Sequence, residues 1–539
     1  MADFPAGPPD GRQGVEKNAQ VLMFGGYLLA GFSLLSLEII WGRMTALTLG
    51  SSVHSYTVTL ASVMGGIFAG SFHGGKRSPT AAPPVFFLYL LLYSISSILV
   101  SFAFLYLSDL MFFAKFHLPV SFEVSFCLMY VAVFVLIFVP SFFAGAVFPI
   151  AVQRILRNAE QAGAVTARLY MLNTLGAVAG CLLTGFVFVE YFGLKNSALL
   201  CGILPGVPSA AYFISRKHSA AALLSILALV SLAGAGAGLS FPVYPFSIYI
   251  QKRFQTPEQF CKIERDVRLL KSYENKYGIV KVLEDGKIRF LQINSKNESS
   301  LFAQDFPTQS MLAHLPYFYH PNPGGPLRFL NIGLGTGTTV RIASNLVKEV
   351  DCLEIDPNVY RAVTEFFFRD IDKNKNVRYI FKEARHFLGT TDRKYDIISM
   401  EPSYPTDITT ASLLSRESFL SLKAHLHPDG IAAVYAPGHL LHERYTDGVL
   451  KTLAGVFPYM HIWNVGIGDV IFICALQPLR LTPDQILEKA AEQNPPGAIR
   501  FARRNEMIES IRQSADVPVY SDNRATLESA ALRGFVRDL

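Results

Sequence analysis

The chain has 539 residues, of which 51% are hydrophobic and only 17% are charged, and its mean hydropathy is +0.31. Soluble proteins seldom reach this balance, so the composition predicts that part of the chain lies in a lipid bilayer. The net charge of +6 is modest, and no run of Lys and Arg is interleaved with aromatic residues. These features argue against a nucleic-acid partner.

Apolar segments dominate the first half of the chain. Residues 1–20 are polar, rich in Pro and Gly, and lack the features of a secretory signal, so they predict a disordered tail. Residues 21–240 predict a transmembrane domain of about seven helices, because each apolar run is long enough to cross a bilayer. The predicted spans are Val21–Trp41, 53–72, 84–107, 124–150, 169–190, 196–214 and 219–240.

The second half of the chain has ordinary polarity and begins after a linker. Residues 241–270 include the Pro-containing segment F-P-V-Y-P-F and predict that linker. Residues 271–325 predict a small β-subdomain, because Tyr277 to Asn294 alternates apolar and polar residues around Asp285-Gly286. This pattern is a strong β-hairpin signal.

Residues 326–539 open with a glycine-rich turn between two apolar runs. The turn contains Gly333, Gly335 and Gly337, and Glu354 stands at the end of the second run. Glycines let the backbone approach a ligand closely, and an acidic residue about 20 positions later can hydrogen-bond a ribose diol. The short turn suits an S-adenosylmethionine-type nucleoside better than a dinucleotide. A tight turn that uses glycines only for backbone reasons is the structural alternative.

An alternation of strands and helices continues after the glycine-rich turn. The third predicted strand (Val377 to Phe381) precedes Glu383, and the fourth (Tyr395 to Met400) precedes Glu401. A fifth strand and a terminal antiparallel pair follow. In an open α/β sheet, ligands bind at the carboxyl ends of the strands, where these acids stand. Acidic residues in this position are also common helix N-caps.

Several ordered motifs resemble the spermidine synthase (polyamine aminopropyltransferase) family. They are H-L-P-Y-F-Y-H-P-N-P, L-N-I-G-L-G-T-G, L-E-I-D-P, E-A-R-H-F-L and Y-D-I-I-S-M-E-P-S-Y-P. The apolar half resembles a membrane-fused branch of that family through L-E-I-I-W-G-R, G-A-V-F-P-I and L-Y-M-L-N-T-L-G-A-V-A-G. The resemblance implies a polytopic α-helical membrane domain followed by a Rossmann-like (methyltransferase-like) α/β domain with a small N-terminal β-hairpin subdomain. It also implies a possible homodimer.

The resemblance assigns the nucleoside residues one by one. It places Gly333, Gly335 and Gly337 against the nucleoside and methionine part, Glu354 on the ribose hydroxyls, and Glu383 on the adenine amine. The donor that it implies is S-adenosylmethionine or its decarboxylated form. No metal is expected, because the cysteines are scattered and the loop histidines have no convergent spacing.

The catalytic segments depart from the family pattern. Glu401 is the expected general base or cation holder, and Ser403 and Tyr404 follow it as substrate-binding candidates in a segment with one carboxylate where the family has two. Before the glycine-rich turn, Asp305 and Gln309 are the remaining substrate-binding candidates. In addition, Thr336 stands inside the turn where the family usually has Asp.

Three classes of function therefore stay open. The first is a transferase that moves an aminopropyl or methyl group. The second is a ligand-binding or scaffold protein of a membrane assembly, and the third is a transporter with a nucleoside- or polyamine-sensing domain. The expected location is the cell inner membrane. Loop charges such as Lys76 and Arg77 favour a cytoplasmic N-terminus and, with an odd number of spans, an outward-facing C-terminal domain, whereas the nucleoside pocket favours the cytoplasm.

Overall fold

A computed structural model describes most of the chain as two compact units, with residues 1–251 forming most of the first and residues 277–539 most of the second. The described residues are 10–50, 53–76, 83–117, 122–156, 162–216, 234, 266–294, 296–402, 408–438, 443–466, 468–492, 499–503 and 505–522. The predicted linker therefore lies almost entirely outside the described residues, as does the predicted span 219–240 except for Gly234.

The first unit consists of helices in the part of the chain that is described. Its helices are α1 (Asp10–Leu49), α2 (Val53–Gly75), α3 (Pro83–His117), α4 (Phe122–Ile155), α5 (Ala162–Leu183), a π-helical turn (Thr184–Phe188), α6 (Val189–Ile203) and α7 (Gly206–Ser215). Helix α1 begins inside the segment that was predicted to be a disordered tail. Adding residues to an existing helix costs little, so the polar residues before Val21 continue the apolar helix toward the N-terminus.

Among the described residues of this unit, four helical stretches are long and apolar enough to cross a membrane. They are Asn18–Leu49, Pro83–Leu107, Cys127–Ile155 and Ala162–Ser215. The last stretch runs through α5 to α7 and covers two predicted spans, and Gly193 (φ +75°) interrupts its helical geometry between them. Helix α2 occupies a further predicted position, 53–72, but is rich in Gly, Ser and Thr. The count of seven spans stays a prediction.

Glycines on α2 allow close packing against α4. A Cβ atom added at Gly66 would lie 2.7 Å from the carbonyl oxygen of Phe138, and one added at Gly70 would lie 1.9 Å from that of Phe142. The same spacing recurs on α5, where a Cβ atom at Gly176 would lie 2.1 Å from the carbonyl oxygen of Leu28 on α1. Small residues at every fourth position thus bring the backbones of paired helices together.

The second unit begins with a four-stranded antiparallel sheet. Its strands are β1 (Val267–Asn275), β2 (Gly278–Asp285), β3 (Ile288–Ile293) and β4 (Lys296–Ser300), in the order β1-β2-β3-β4. Strands β2 and β3 pair from Val280–Ile293 to Asp285–Ile288, and Gly286 (φ +62°) lies in the turn between them. The predicted β-hairpin is therefore confirmed.

An eight-stranded sheet forms the centre of the second unit. Its strands are β5 (Arg328–Ile332), β6 (Glu349–Glu354), β7 (Val377–Phe381), β8 (Tyr395–Met400), β9 (Leu426–Ala436), β10 (Tyr459–Val465), β11 (Asp469–Ala475) and β12 (Ile499–Arg503), in the order β12-β10-β11-β9-β8-β5-β6-β7. Strands β5 to β9 are mutually parallel, and β10, β11 and β12 form antiparallel pairs. This is the order of a methyltransferase-like Rossmann fold, which confirms the predicted fold of the C-terminal part.

Helices cover both faces of the large sheet. They are α8 (Phe306–Tyr319), α9 (Thr338–Leu346), α10 (Pro357–Ala362), α11 (Ala384–Thr390), α12 (Ile408–Leu413), α13 (Arg416–His425), α14 (Glu443–Ala454), α15 (Pro483–Ala491) and α16 (Asn505–Gln513). Apolar side chains such as Leu330, Ile398 and Phe472 are completely buried between these layers. The chain order reverses direction at β5, which has β6 on one side and β8 on the other. Ligands bind at such switch points.

The packing of α2 against α4 predicts that Gly70→Ala destabilises the helical unit by about 1–3 kcal/mol, since the new methyl group overlaps the backbone of Phe142. Thermal unfolding of the detergent-purified protein, followed by circular dichroism, measures this loss.

Gly65→Ala in the same helix is the matched control, because its Cβ atom would meet only ordinary contacts of 3.6 Å with Phe134. We expect Gly65→Ala to leave the unfolding temperature unchanged or to raise it, since Ala is the better helix former. Equal unfolding temperatures for the two variants would contradict the packing.

Candidate functional site

The glycine-rich turn lies between β5 and α9 at the carboxyl edge of the large sheet. Its backbone has φ values of +93° at Gly333, +53° at Gly335 and +88° at Gly337, a region that side chains with a Cβ atom rarely adopt. A Cβ atom at Gly333 would meet only the carbonyl oxygen of Glu401, at 3.8 Å. The first glycine therefore leaves space above the end of β5.

The predicted ribose-binding residue, Glu354, faces this turn from the end of β6. Its carboxylate accepts hydrogen bonds from the backbone N–H groups of Leu334, at 3.1 Å, and Asp356, at 2.9 Å. Burial raises the pKa of Glu354 to about 7, although these backbone hydrogen bonds favour the ionised form. The structure thus brings Glu354 and the glycine-rich turn together, and each carboxylate oxygen keeps capacity for a further donor.

Glu383, predicted to contact adenine, follows β7 and caps helix α11. Its carboxylate accepts hydrogen bonds from the backbone N–H groups of Arg385, at 3.0 Å, and His386, at 2.6 Å. This is the N-cap role that the sequence leaves open as the structural alternative. The adenine contact of Glu383 stays a prediction.

Glu401 follows β8 directly beside the end of β5, where its backbone N–H group donates to the carbonyl oxygen of Ile332 at 3.3 Å. Burial raises the pKa of Glu401 to about 8, and repulsion from the carboxylates of Asp469, Glu298 and Asp305 contributes to the increase. The E-P-S-Y-P segment has only this one carboxylate, but three carboxylates from elsewhere in the chain raise its pKa. Ser403 and Tyr404 lie outside the described residues.

The two substrate-binding candidates before the glycine-rich turn both interact with β4. Asp305 accepts a hydrogen bond from the Ser300 hydroxyl group. Gln309 is buried, donates through Nε2 to the carbonyl oxygen of Ser300 at 2.9 Å, and accepts through Oε1 from the Thr336 hydroxyl group at 2.9 Å. The Gln309 amide therefore connects the small sheet to the glycine-rich turn, and the contact with substrate stays a prediction.

Thr336 is buried within the glycine-rich turn. Its hydroxyl oxygen lies 3.1 Å from that of Ser299 and 3.2 Å from that of Thr338, in addition to its hydrogen bond with Gln309. These contacts are between neutral groups. The position where the family usually has an acid is thus part of a neutral hydrogen-bond network in this chain.

Asp469 is an acidic residue of the site that the sequence reasoning missed. It begins β11, is only 7% exposed, and accepts hydrogen bonds from Thr308 at 2.8 Å and Tyr435 at 3.2 Å. The sequence contains a signal for this position. Strand β11 runs antiparallel to its neighbours, so its first residue lies at the edge of the sheet where the neighbouring strands end. The sequence reasoning predicted that strand but did not use its direction.

The C-terminal segment contacts α11 close to Glu383. Asp522 accepts from Arg385, with one Nη1–Oδ1 distance of 3.1 Å, and Tyr520 is buried in the apolar core. This ion pair joins the C-terminal segment to helix α11. Arg524 lies outside the described residues.

Comparisons with known proteins find similarity to polyamine aminopropyltransferases. A family model described as the spermine/spermidine synthase domain matches residues 305–467. The chain is 27% identical over 240 residues to a polyamine aminopropyltransferase of Leptospira biflexa, which covers 41% of this chain and 81% of that relative. It is 22% identical over 497 residues to polyamine aminopropyltransferase 2 of Aquifex aeolicus, which covers 89% of this chain and 92% of that relative.

Among solved structures, the chain is similar to a probable spermidine synthase from Corynebacterium glutamicum, with 14% identity, a TM-score of 0.39, and coverage of 47% of this chain and 96% of that one. The alignment with the Aquifex relative extends through both units, so the likeness includes the helical extension. The family model and the sequence relatives favour the transferase class over the scaffold and transporter alternatives. Residues 305–467 therefore match a spermine/spermidine synthase domain, and the chain is similar to polyamine aminopropyltransferases, in one case along most of its length.

Proposed function

We propose that the protein is a membrane-anchored transferase that moves the aminopropyl group of decarboxylated S-adenosylmethionine to an amine acceptor. The observation that carries this proposal is the position of Glu401, a partly buried carboxylate beside the glycine-rich turn whose pKa three other carboxylates raise. Both the relative that covers 41% of this chain and the one that covers 89% are named as polyamine aminopropyltransferases, which supports the same reaction class.

The donor site would be formed by the glycine-rich turn and Glu354. The adenosine lies over Gly333 in the proposed pose, where the turn leaves space, and the ribose hydroxyl groups donate to Glu354. The Glu354 oxygens already accept backbone N–H groups and are held in place before the nucleoside arrives. The aminopropyl chain then points from the turn toward Glu401.

The reaction is a substitution at the carbon beside the sulfonium. The lone pair of a neutral amine attacks that carbon, the C–N bond forms, and the C–S bond breaks with its electron pair moving to sulfur. The products are methylthioadenosine and an ammonium, which releases its extra proton to the Glu401 carboxylate. A base with a pKa of about 8 is well matched to this role near neutral pH.

The helical unit would supply the membrane anchor. Four of its stretches, such as Cys127–Ile155, have the length and composition of membrane spans. We expect the full-length protein to sediment with membranes and to resist extraction by sodium carbonate, because spanning helices are released only by detergent. Release by carbonate would contradict the anchor and leave the reaction unaffected.

Binding of the donor tests the nucleoside site. We expect Glu354→Gln to weaken the binding of decarboxylated S-adenosylmethionine and of methylthioadenosine by about 10- to 100-fold, because hydrogen bonds to a charged carboxylate are lost. Isothermal titration calorimetry measures both affinities, with S-adenosylmethionine as a third ligand to determine which donor is preferred.

The exposed Glu488 on α15 provides the control for this experiment. Glu488→Gln makes the same change in net charge at a position outside the proposed site. Unchanged donor affinity in Glu354→Gln would contradict the assigned pocket. Binding of none of the three nucleosides to the wild-type protein would contradict the proposed function itself.

The pH dependence of transfer tests Glu401. Because the base must be ionised, we expect kcat/KM to increase with pH through about 8, the pKa of the Glu401 carboxyl group. Glu401→Gln should reduce kcat by about 100- to 10,000-fold and remove the inflection at this pH. Steady-state rates of methylthioadenosine release between acidic and alkaline pH measure both effects.

The remaining activity of Glu401→Gln should follow only the ionisation of the amine acceptor, and Glu488→Gln should keep the wild-type profile. If Glu401→Gln has the same activity as the wild-type protein and the same inflection in its pH profile, Glu401 is not the base.

A further inference from the structure

A pocket of about 440 Å³ lies in the helical unit, between α1 and the last turn of α7. Its lining residues include Asn18, Val21, Leu22, Tyr212, Ser215 and Arg216. Asn18 begins the apolar stretch Asn18–Leu49, and Ser215 ends the apolar stretch Ala162–Ser215. The pocket is therefore at the level where two candidate membrane spans would reach the bilayer surface. Its volume is within the range of ligand sites, about 300–1,000 Å³.

The two helices that form the pocket run in opposite directions. A Cβ atom at Gly26 of α1 would lie 3.5 Å from the side chain of Pro208, near the start of α7, whereas the pocket brings Asn18 beside the end of α7. The ring of Tyr212 stacks on that of Phe87 of α3 with centroids 4.0 Å apart, which holds the end of α7 against the bundle. The outer ends of both apolar stretches thus meet at the same side of the pocket.

Polar and apolar groups are separated along the pocket. Asn18 lies one turn before Leu22 on α1, and Arg216 lies one turn after Tyr212 on α7. Since the helices are antiparallel, the polar groups share the outer end and the apolar groups share the inner end. Val21 is 69% exposed, so the inner end presents apolar surface. A soluble anion would contact only the outer end, whereas an amphiphile would contact both.

The charge at the outer end of the pocket is positive. Arg216 is partly buried, with its guanidinium carbon 5.7 Å from the centre of the Tyr212 ring, and the described residues that line the pocket include no carboxylate. At the same end of α1, the guanidinium carbon of Arg168 lies 4.5 Å from the centre of the Phe24 ring. A guanidinium held against a ring can still donate its N–H groups, and their planar arrangement matches phosphate oxygens.

We propose that this pocket binds an anionic phospholipid, with the phosphate at Arg216 and an acyl chain along Val21 and Leu22. The inference rests on the membrane anchor of the proposed function and on no step of the transfer reaction. Asn18 and Ser215 supply an amide and a hydroxyl group that can hydrogen-bond the glycerol and phosphate oxygens. A zwitterionic lipid gains less attraction, because its own cationic group is repelled by Arg216.

Lipid binding to the delipidated full-length protein in detergent tests the inference. Native mass spectrometry measures the affinities of phosphatidylglycerol, which is anionic, and of zwitterionic phosphatidylethanolamine with the same acyl chains. We expect the wild-type protein to bind one phosphatidylglycerol about tenfold more tightly than phosphatidylethanolamine, and Arg216→Gln to lose most of this preference, since the attraction to the net negative charge is removed. Equal affinities of the wild-type protein for the two lipids would overturn the proposal.

Arg168→Gln is the matched control, because it removes the same charge at the same end of α1 but outside the lining of the pocket. We expect Arg168→Gln to keep the preference for phosphatidylglycerol. An equal loss of preference in both variants would indicate attraction to the whole charged surface and overturn the assigned pocket.

A conservative variant separates binding from folding. Arg216→Lys retains the positive charge, so we expect it to retain most of the preference for the anionic lipid. If Arg216→Lys loses the preference as completely as Arg216→Gln, and both unfold at a lower temperature than the wild-type protein in lipid-free detergent, Arg216 has a structural role and the proposal is overturned.

Glycerol phosphate distinguishes a lipid from a soluble phosphate. It carries the same anionic group without acyl chains, so we expect that a large excess does not displace phosphatidylglycerol from the wild-type protein. Displacement at equal concentrations would assign the pocket to a soluble phosphate ester and overturn the lipid. Extraction by carbonate or an absence of transfer would contradict the proposed function, whereas the lipid affinities in detergent decide this site on their own.

Discussion

The desolvation of Glu401 beside other carboxylates at one edge of the sheet is the constraint on which the site depends. Desolvation and the neighbouring acids hold the pKa of Glu401 at about 8, above its ordinary value of 4.5. Between pH 4.5 and 8 the Glu401 carboxyl group is protonated in the folded protein but ionised in the unfolded chain. The free energy of unfolding therefore falls as the pH rises through this range, and the full loss is present above pH 8. Carboxylates that destabilise a fold in this way are typical of functional sites, and a bound cationic amine would offset the repulsion between them.

The remainder of the second unit holds this edge in place. The glycine-rich turn is tied to β6 by Glu354 and to the small sheet by Gln309, which joins Thr336 to Ser300. The same helix turn that carries Gln309 also carries Thr308, which contacts Asp469. The proposed donor and acceptor sides of the site thus share one helix turn, and this arrangement suits a reaction whose rate depends on the alignment of two reactants.

The sequence predicts the fold of the second unit well, because its signals are local. Val377–Phe381 and Tyr395–Met400 have the predicted bounds, since each is a short apolar run with turn residues on both sides. The site is predicted less completely. Glu354 and Glu401 follow from their positions after strands, whereas Asp469 enters the site through the pairing of distant strands. Capping by Glu383 and the burial of Thr336 depend on side-chain contacts that no local sequence pattern contains. In the first unit, α1 begins before its apolar run because adding residues to an existing helix costs little free energy.

Detection of the transferred group tests the central claim most directly. The full-length protein in detergent is incubated with decarboxylated S-adenosylmethionine and diaminobutane, and the products are identified by mass spectrometry. The account predicts equal amounts of methylthioadenosine and an amine that has gained one aminopropyl group, with both products lost in Glu401→Gln. Methylthioadenosine without the extended amine would indicate donor hydrolysis, and the absence of both products from a protein that binds the donor would contradict aminopropyl transfer.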